Sequence, residues 1–288
     1  MGSFTKKTIR VTMRMAEAVF GDGNNTAVIE GLPTKAQISK PGGQDMNKLS
    51  LSINNMAIDR MTSLTVLGFK PLKTYKNTVI VEAGTLGENL GTVFSGEISS
   101  AVPIFDNGGI VSFKVEAETG SYPNKLPDPP MSVQGTASVD ELMRQFAGEA
   151  GYSYQNEGVS ANVRNAVFKG SPIQKAHALA RQAGIELLID DSKFIIMNKG
   201  KSRQGGIPLI DKEHGLLGYP SFTNDGIDAK CIFDTRINIA GLVELQTIVP
   251  KASGIWKVNK LDHNLEAYFP SGGSWHTNFS GIWVQDYD

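Results

Sequence analysis

The fold is decided by five short stretches near the end of the chain: His214-Gly-Leu-Leu-Gly-Tyr-Pro220, Gly241-Leu-Val-Glu-Leu245, Gly254-Ile-Trp-Lys-Val258, Leu261-Asp-His-Asn-Leu265 and Gly272-Gly-Ser-Trp-His-Thr277. Apolar and polar residues alternate within them, and glycine separates them. This pattern is typical of consecutive strands in a β-meander. We therefore predict that the C-terminal part of the chain is all β.

Composition limits the possible functions. The chain has 288 residues, 40% of them hydrophobic, and a formal net charge of −1. It can therefore build two or three cores, but it has no general attraction for nucleic acid or anionic membranes. The single cysteine, Cys231, lies in a short apolar run and is predicted to be buried and not disulfide-bonded. No signal peptide or apolar run of ~20 residues is recognisable, so we expect a soluble protein made in the cytoplasm.

Residues 1–125 are predicted to form a β-barrel-like domain. Apolar and polar residues alternate from Ile9 to Met15, and similar runs predict strands at Leu49–Ile53, Leu64–Leu67, Thr78–Ala83 and Val93–Ile98. The sequence Asp106-Asn-Gly-Gly109 favours a hairpin, because Asn-Gly tolerates positive φ. Four prolines in Ser121–Pro130 mark the end of this domain, since proline interrupts helices and central strands.

Residues 131–200 are predicted to form a small α/β insert. Ser138 with Glu141, and Ser171 with Gln174, match the capping box that begins a helix. Glycine follows both helices and ends them, and a strand comes after each. The second strand turns through Asp190-Asp-Ser192 into another. This order resembles peptidoglycan-binding LysM modules, although it is common and does not by itself indicate glycan binding.

After a glycine-rich linker at 199–206, residues 207–288 return to strand patterns. We predict a second β-barrel-like domain here, so that two related all-β units flank the insert. The predicted fold class is α+β, mainly β.

Several short motifs occur in a characteristic order. A strand ending in Ala83-Gly84 precedes Phe94-Ser-Gly96, and the C-terminal part contains Gly215-Leu216, Gly218, Pro220, Trp256 and Trp275. In this order the chain resembles the central baseplate hub proteins of contractile phage tails, the late control protein D and Mu-type tail hubs. The resemblance covers most of the chain and implies a structural protein that needs no cofactor.

The resemblance implies a homotrimeric ring in which each subunit contributes two tube domains. Such a ring would present six similar units to a six-fold tail tube and three to a three-fold spike. The implied partners are tail tube or tube-initiator proteins, the central spike and wedge proteins of the baseplate, with no membrane partner and with DNA only as transient cargo in the lumen. The implied location is the virion, after assembly in the bacterial host cytoplasm.

Candidate binding sites are weak. The glycine-rich stretch Ala83–Gly91 lacks the Gly-Lys-Ser/Thr ending of a phosphate-binding loop and is predicted to be a hairpin. His263 and His276, with Asp262 nearby, could meet on neighbouring strands as metal ligands or could be ordinary polar residues. No metal, cofactor or catalytic residue is assigned.

Other polar and aromatic residues have structural interpretations. Adjacent Asp190 and Asp191 should point to opposite faces of a strand, unlike a glycosidase pair. Arg10 and Arg14 form a basic strand face that is either solvated or in contact with an acidic neighbour. The tryptophans are expected in the β core, with subunit contact as the alternative.

Two other functions remain open from the sequence. One is a tail-associated enzyme that degrades peptidoglycan, which requires a pair of carboxylates in a sugar-sized cleft. The other is a glycan-binding module built on the insert, which requires exposed aromatic side chains such as Tyr152 and Tyr154 along a groove.

Overall fold

The computed structural model describes residues 5–16, 24–67, 76–105, 111–125 and 128–284. The elements of the N-terminal part are β1 (Lys7–Arg14), β2 (Thr26–Ile29), β3 (Thr34–Lys40), β4 (Lys48–Asn54), α1 (Ile58–Ser63), β5 (Thr78–Thr85), β6 (Gly91–Phe105) and β7 (Val111–Glu118). A 3-10 turn, Pro123–Lys125, leads out of this part.

The insert and the C-terminal part follow. The elements of the insert are β8 (Met131–Ser132), β9 (Thr136–Ser138), α2 (Val139–Ala150), β10 (Ser153–Glu157), β11 (Asn162–Arg164), β12 (Val167–Phe168), α3 (Pro172–Ala183), β13 (Ile185–Asp190) and β14 (Lys193–Asn198). Those of the C-terminal part are β15 (Leu209–Ile210), β16 (Ser221–Phe222), β17 (Gly226–Ile232), β18 (Leu242–Leu245), β19 (Gly254–Ala267) and β20 (Trp275–Trp283).

Strands from both ends of the chain form one 13-stranded sheet. Its order is β16-β17-β20-β19-β3-β4-β7-β6-β5-β1-β2, with β18 also beside β19 and β15 beside β18. The two parts join where β19 pairs antiparallel with β3, from Leu261 opposite Lys40 to Ala267 opposite Thr34. The predicted α+β, mainly β class is confirmed. The division into domains 1–125, 131–200 and 207–288 stays a prediction. The β3–β19 ladder connects the first of these ranges to the last.

The N-terminal part curves around a core to which β1 and β3 to β7 contribute, together with α1. Its hydrogen-bonded strand order is open, but β1 returns to the end of β19 through side chains. The hydroxyl of Tyr268 donates to Thr8 Oγ1 at 3.0 Å, and Lys6 lies 4.9 Å from the centre of the Tyr268 ring. The first strand of this unit and the end of β19 are therefore in side-chain contact, whereas a closed barrel stays a prediction.

The strands β13 and β14 are buried on both faces. Leu187 and Ile196 face the helices of the insert, whereas Leu188 and Ile195 belong to the core of the C-terminal part. Continuous apolar strands are expected where both faces of a sheet are covered. The insert is therefore packed into the C-terminal part and not merely tethered to it.

Both long helices were predicted, but only one of the two capping boxes is present. Ser171 Oγ accepts the Gln174 N–H, and the Gln174 side chain accepts the Ser171 N–H. Ser138 makes no such bond, so the prediction there is wrong. Ser138 is also the last residue of strand β9, where it pairs with Asn162, and the first N–H of the helix, that of Val139, donates to the Ala161 carbonyl at 3.0 Å.

Glycine ends both helices, as predicted. Gly151 and Gly184 have φ of 72° and 68°, in the left-handed region that glycine adopts readily. None of the described helices combines the length and apolarity that crossing a bilayer requires.

The strand predicted at Leu64–Leu67 is wrong. Helix α1 ends just before it, and only Val66 forms an isolated bridge, to Ala101. Met61 and Leu64 are both fully buried. Their spacing of three residues fits one side of a helix, which a strand interpretation overlooks.

Several predicted strands are parts of longer ones. Strand β6 extends the run predicted at Val93–Ile98 as far as Phe105. Strand β19 unites the predicted runs Gly254–Val258 and Leu261–Leu265 across a bulge between Val258 and Lys260. The predicted turn Asp106–Gly109 lies outside the described residues, although Phe105 does pair with Val111.

The difference between the two caps can be tested by stability. We expect Ser171→Ala to lower the free energy of unfolding by about 1 kcal/mol, because it leaves an N–H of the first helical turn without its acceptor. Ser138→Ala is the matched control and should change stability by less than about 0.5 kcal/mol. Urea denaturation of both variants measures this, and equal losses would contradict the assignment.

Candidate functional site

One face of the shared sheet is polar from β7 to β17. We call it the polar face, formed by outward side chains of β7, β4, β3, β19, β20 and β17. Its uncharged polar members are Gln37, Ser39, Ser50, Ser52, Asn54, Ser112, Asn264, His276, Asn278 and Ser280. The opposite face of the same strands packs on the cores of the two β units. Period-two alternation thus extends one wall across both units.

Charges on the polar face are balanced. Basic and acidic side chains occur in equal number, namely Lys35, Lys48, Lys114, Lys230 and Lys260 with Glu116, Glu118, Asp228, Asp262 and Glu266. The ion pairs on this face are Lys35–Glu266 (3.1 Å), Lys48–Glu118 (3.9 Å), Lys114–Glu116 (3.0 Å) and Lys260–Asp262 (3.3 Å). Such exposed pairs add little stability. Their effect is that lysine charge is compensated locally.

The insert meets the sheet at a buried charged cluster, which we call the joint. Lys40 Nζ lies 2.7 Å from Asp190 Oδ1 and 2.7 Å from Asp191 Oδ2. Arg203 Nη1 lies 3.0 Å from Asp190 Oδ2, and Asn47 Nδ2 donates to Asp190 Oδ1 at 3.0 Å. Two cations therefore face two carboxylates where β3 and β4 meet the tip of the β13–β14 hairpin.

The prediction that Asp190 and Asp191 point to opposite faces is wrong. Asp191 has a φ of 46° and belongs to the turn, so the strand alternation does not extend to it. Burial alone would raise the pKa of Asp190, but Lys40 and Arg203 hold it below its usual value. Both carboxylates are engaged by cations of the joint.

A second buried contact lies beside the joint. Tyr152 Oη donates to Glu97 Oε1 at 2.8 Å, and the Gly120 N–H donates to Glu97 Oε2 at 2.8 Å. Burial raises the pKa of the Glu97 carboxyl. Tyr154 is half-buried, with its hydroxyl donating to Asp140 Oδ1 at 2.8 Å. A glycan-binding module on the insert would require exposed aromatic side chains, and Tyr152 and Tyr154 do not meet that requirement.

The histidines are not brought together. His263 lies opposite Thr277, with Nδ1 2.8 Å from Thr277 Oγ1, and its neighbour Asn264 lies opposite His276. The two imidazoles therefore project from opposite faces of the sheet. Burial and the nearby Lys40 ammonium lower the pKa of His263 to about 3.

The motif residues of the N-terminal part lie in the β5–β6 hairpin, as predicted for Ala83–Gly91. Ala83 pairs with Gly91, and Gly84 is near the end of β5. Phe94 is fully buried. A Cβ on Gly96 would stand 2.8 Å from the Phe94 ring and 3.0 Å from the Glu118 carbonyl carbon, so this position requires glycine. The motif has a packing role in this structure.

The C-terminal motif residues form the sheet margin and its core. Gly215 and Gly218 have φ of 91° and 77°, Leu216 bridges Cys231, and Pro220 is buried. The Cys231 thiol is buried as predicted, which raises its pKa to about 12.

The tryptophans pack edge to face. Trp256 is buried, with its ring centre 5.1 Å from that of Trp283. The Trp275 ring lies 5.4 Å from Phe233. Such aromatic pairs stabilise a core beyond the area they bury.

The basic face at β1 is partly neutralised. Arg10 Nε lies 2.9 Å from Glu30 Oε2, and its Nη1 lies 3.8 Å from Glu82 Oε2. Arg14 is exposed at the end of the strand. An interface role for Arg10 and Arg14 stays a prediction, with Arg14 now the stronger candidate.

Sequence reasoning missed Lys40, Asn47 and Glu97. For Lys40 a signal exists, because Thr34, Ala36 and Ile38 alternate toward the core and Lys40 continues that series. A lysine at a core position requires a buried anion, although the sequence does not say which one.

Solved structures with this fold come from phage tails and a related secretion system. The prophage MuSo2 43 kDa tail protein from Shewanella oneidensis has a TM-score of 0.61 at 10% identity, covering 97% of this chain and 99% of that chain. A tail protein from Neisseria meningitidis MC58 gives 0.62 at 9% identity, with the same coverage. The E. coli c3393 protein, a type VI secretion component, gives 0.56 at 11% identity, covering 89% and 74%. The fold is thus that of phage tail proteins.

Residues 8–268 match the family described as Baseplate hub gp41, and the chain belongs to that family. It is therefore a structural component of the tail baseplate of a phage virion, as the resemblance in the sequence implied. A comparison with curated proteins gives no match.

The joint predicts that removing the charge of Lys40 destabilises the fold far more than removing the charge of an exposed lysine. Lys40→Met leaves Asp190 and Asp191 buried with too little positive charge, and we expect a loss of about 3–5 kcal/mol in the free energy of unfolding. The control Lys35→Met removes an exposed pair and should cost less than about 1 kcal/mol. Chemical denaturation compares them, and similar small losses would contradict a stabilising role of the joint.

The buried His263 predicts a particular acid sensitivity. The pKa of His263 in the folded protein, about 3, lies below its ordinary value of 6.5. The contribution of neutral His263 to stability is therefore complete above pH 6.5 and is lost as the pH falls toward 3. The loss should approach about 1.4 kcal/mol per pH unit between these limits. His263→Gln should reduce this slope in denaturation curves from pH 7 to pH 4. An unchanged slope would show that His263 is not the responsible group.

Proposed function

We propose that three copies of the chain form the central ring of the baseplate. The ring joins a six-fold tail tube to a three-fold spike and leaves a channel for DNA. Its partners are tail tube or tube-initiator proteins on one side and the spike on the other, with wedge proteins around it. Support for the spike contact comes from the E. coli c3393 protein, which is described as similar to T4 tail proteins gp27 and gp5.

Two β units in one chain allow a trimer to match partners of two different symmetries. The core of the N-terminal part and that of the C-terminal part lie on the same side of the sheet, joined across β3 and β19. Three copies around a three-fold axis therefore supply six β units, whereas a feature that occurs once in the chain is repeated three times. One molecule of this kind can match a six-fold partner on one side and a three-fold partner on the other.

The polar face is the observation that carries the proposed channel. It extends over both units, and its lysines are interleaved with carboxylates. A basic wall would bind phosphates by releasing counterions and would retain DNA, whereas a wall without net charge gives little such binding. The polar face is therefore suited to line a path along which DNA moves.

A structural role also agrees with the state of the acidic pair. Asp190 and Asp191 are held by Lys40 and Arg203, so neither is available as a free acid or base. The rival function, a peptidoglycan-degrading tail enzyme, requires two such groups facing a substrate. A zymogram with cell-wall substrate tests the rival directly. Clearing by the purified chain would contradict a purely structural role.

The oligomeric state tests the proposed ring. Light scattering after size exclusion should give about three times the chain mass of 31.1 kDa, and negative-stain images should contain rings with a central hole. A chain that stays monomeric at all concentrations and in the presence of its tail partners would contradict the proposal.

Charge reversal on the polar face tests the channel. We expect rings of the double variant Asp262→Lys with Glu266→Lys to retain duplex DNA, because unpaired lysines would then bind phosphates. Binding should weaken steeply with salt in a gel-shift assay. The matched control Glu141→Lys with Glu149→Lys makes the same charge change on exposed positions of α2. Equal retention by both variants would show that DNA binding does not depend on the polar face and would contradict the proposed channel lining.

A further inference from the structure

Exposed apolar side chains occur at both margins of the polar face. At the β16–β17 margin, Leu217 lies opposite Lys230, and Ile232 lies opposite His276, so both project on the side of the polar face. Tyr219 lines a shallow groove there with Lys230 and is 72% exposed. We call Leu217, Tyr219 and Ile232 the first strip.

The other margin has a similar set on β6. Val102 lies opposite Lys114 and Ile104 opposite Ser112, so they too project on the side of the polar face. Ile104 is 43% exposed. Phe105, opposite Val111, projects on the other side of the sheet. We call Val102 and Ile104 the second strip. The second half of β6 pairs with β7 on one side, and within the described residues only the Val66 bridge meets its other side.

We propose that the first strip of one copy packs against the second strip of the next copy and that these contacts close the ring. The partner is thus a second copy of this chain. This inference rests on the proposed trimer and names the surfaces that would form it.

The position of the strips argues for such a contact. They lie at opposite margins of one wall, separated by the strands of the polar face. A contact between two different patches is heterologous. It closes into a ring when the rotation that relates neighbouring copies divides a full turn into a whole number of steps. A contact that buries both strips keeps the polar face continuous from copy to copy.

The chemistry of the strips fits a subunit contact. Large apolar and aromatic residues are enriched in the buried centre of protein interfaces, and tyrosine is a frequent hot spot. Lysine–carboxylate pairs next to each strip provide a polar surround.

Single aspartate substitutions test the strips. Tyr219→Asp and Ile104→Asp should each bury a charge in the contact. The protein concentration at which half of the trimer dissociates should therefore rise by at least about 30-fold in each variant. The control Ile248→Asp changes a residue that is 79% exposed and lies in the loop after β18, outside both strips. It should leave the trimer unchanged, and circular dichroism should establish that all three variants fold.

Mixing the two variants distinguishes a heterologous contact from other arrangements. Each variant keeps one intact strip, so a one-to-one mixture should form a heterodimer near twice the 31.1 kDa chain mass, while each variant alone stays monomeric. Dimers of either variant alone would indicate that a strip packs against the same strip of another copy, and this would overturn the inference.

The outcomes separate this inference from the proposed function. If the wild-type chain forms trimers and both aspartate variants also form trimers at the same concentration, the strips are not the contact, although the ring stands. If the wild-type chain never forms trimers, even with its tail partners, the proposed function itself fails and the inference fails with it.

Discussion

The pairing of β3 with β19 holds the two β units in one sheet. It joins residues 34–40 to residues 261–267, which come from opposite ends of the chain. The pleat then sends Ala36 and Leu265 to one core and Gln37 and Asn264 to the polar face. A slip of one residue would exchange these faces, so burial on one side fixes the register on the other. The continuous polar wall is a consequence of this single ladder.

The same ladder positions the joint. It ends with Lys40 opposite Leu261, where the tip of the β13–β14 hairpin arrives with two carboxylates. Burying four charged groups is costly, and an apolar joint could be as stable. A charged joint is directional, however, because a displaced hairpin would leave Lys40 without its partners. We infer that the insert is fixed in orientation by charge and in depth by the apolar side chains of β13 and β14, such as Leu188 and Ile195.

Local structure was largely predictable from the sequence, and long-range pairing was not. Alternation identified strands such as β1 and β4, and glycine identified the ends of α2 and α3, because these signals act within a few residues. Asp191 was placed on the wrong side because strand alternation fails at a residue with positive φ. The partner of Lys40 lies 150 residues away, which no local pattern encodes. The motifs around Gly96 and Gly218 led to the family, while the polar face appeared only once the strands were assembled.

The proposed ring is based on a polar wall without net charge, two β units in one sheet and an insert fixed beside them. A cryo-electron microscopy map of the purified assembly at side-chain resolution is the most direct test of this ring. We predict three-fold symmetry and a channel lined by the polar face, with Lys35, Glu266 and Asn278 toward the lumen. A ring with these residues on its outer surface, or an assembly of another symmetry, would contradict it.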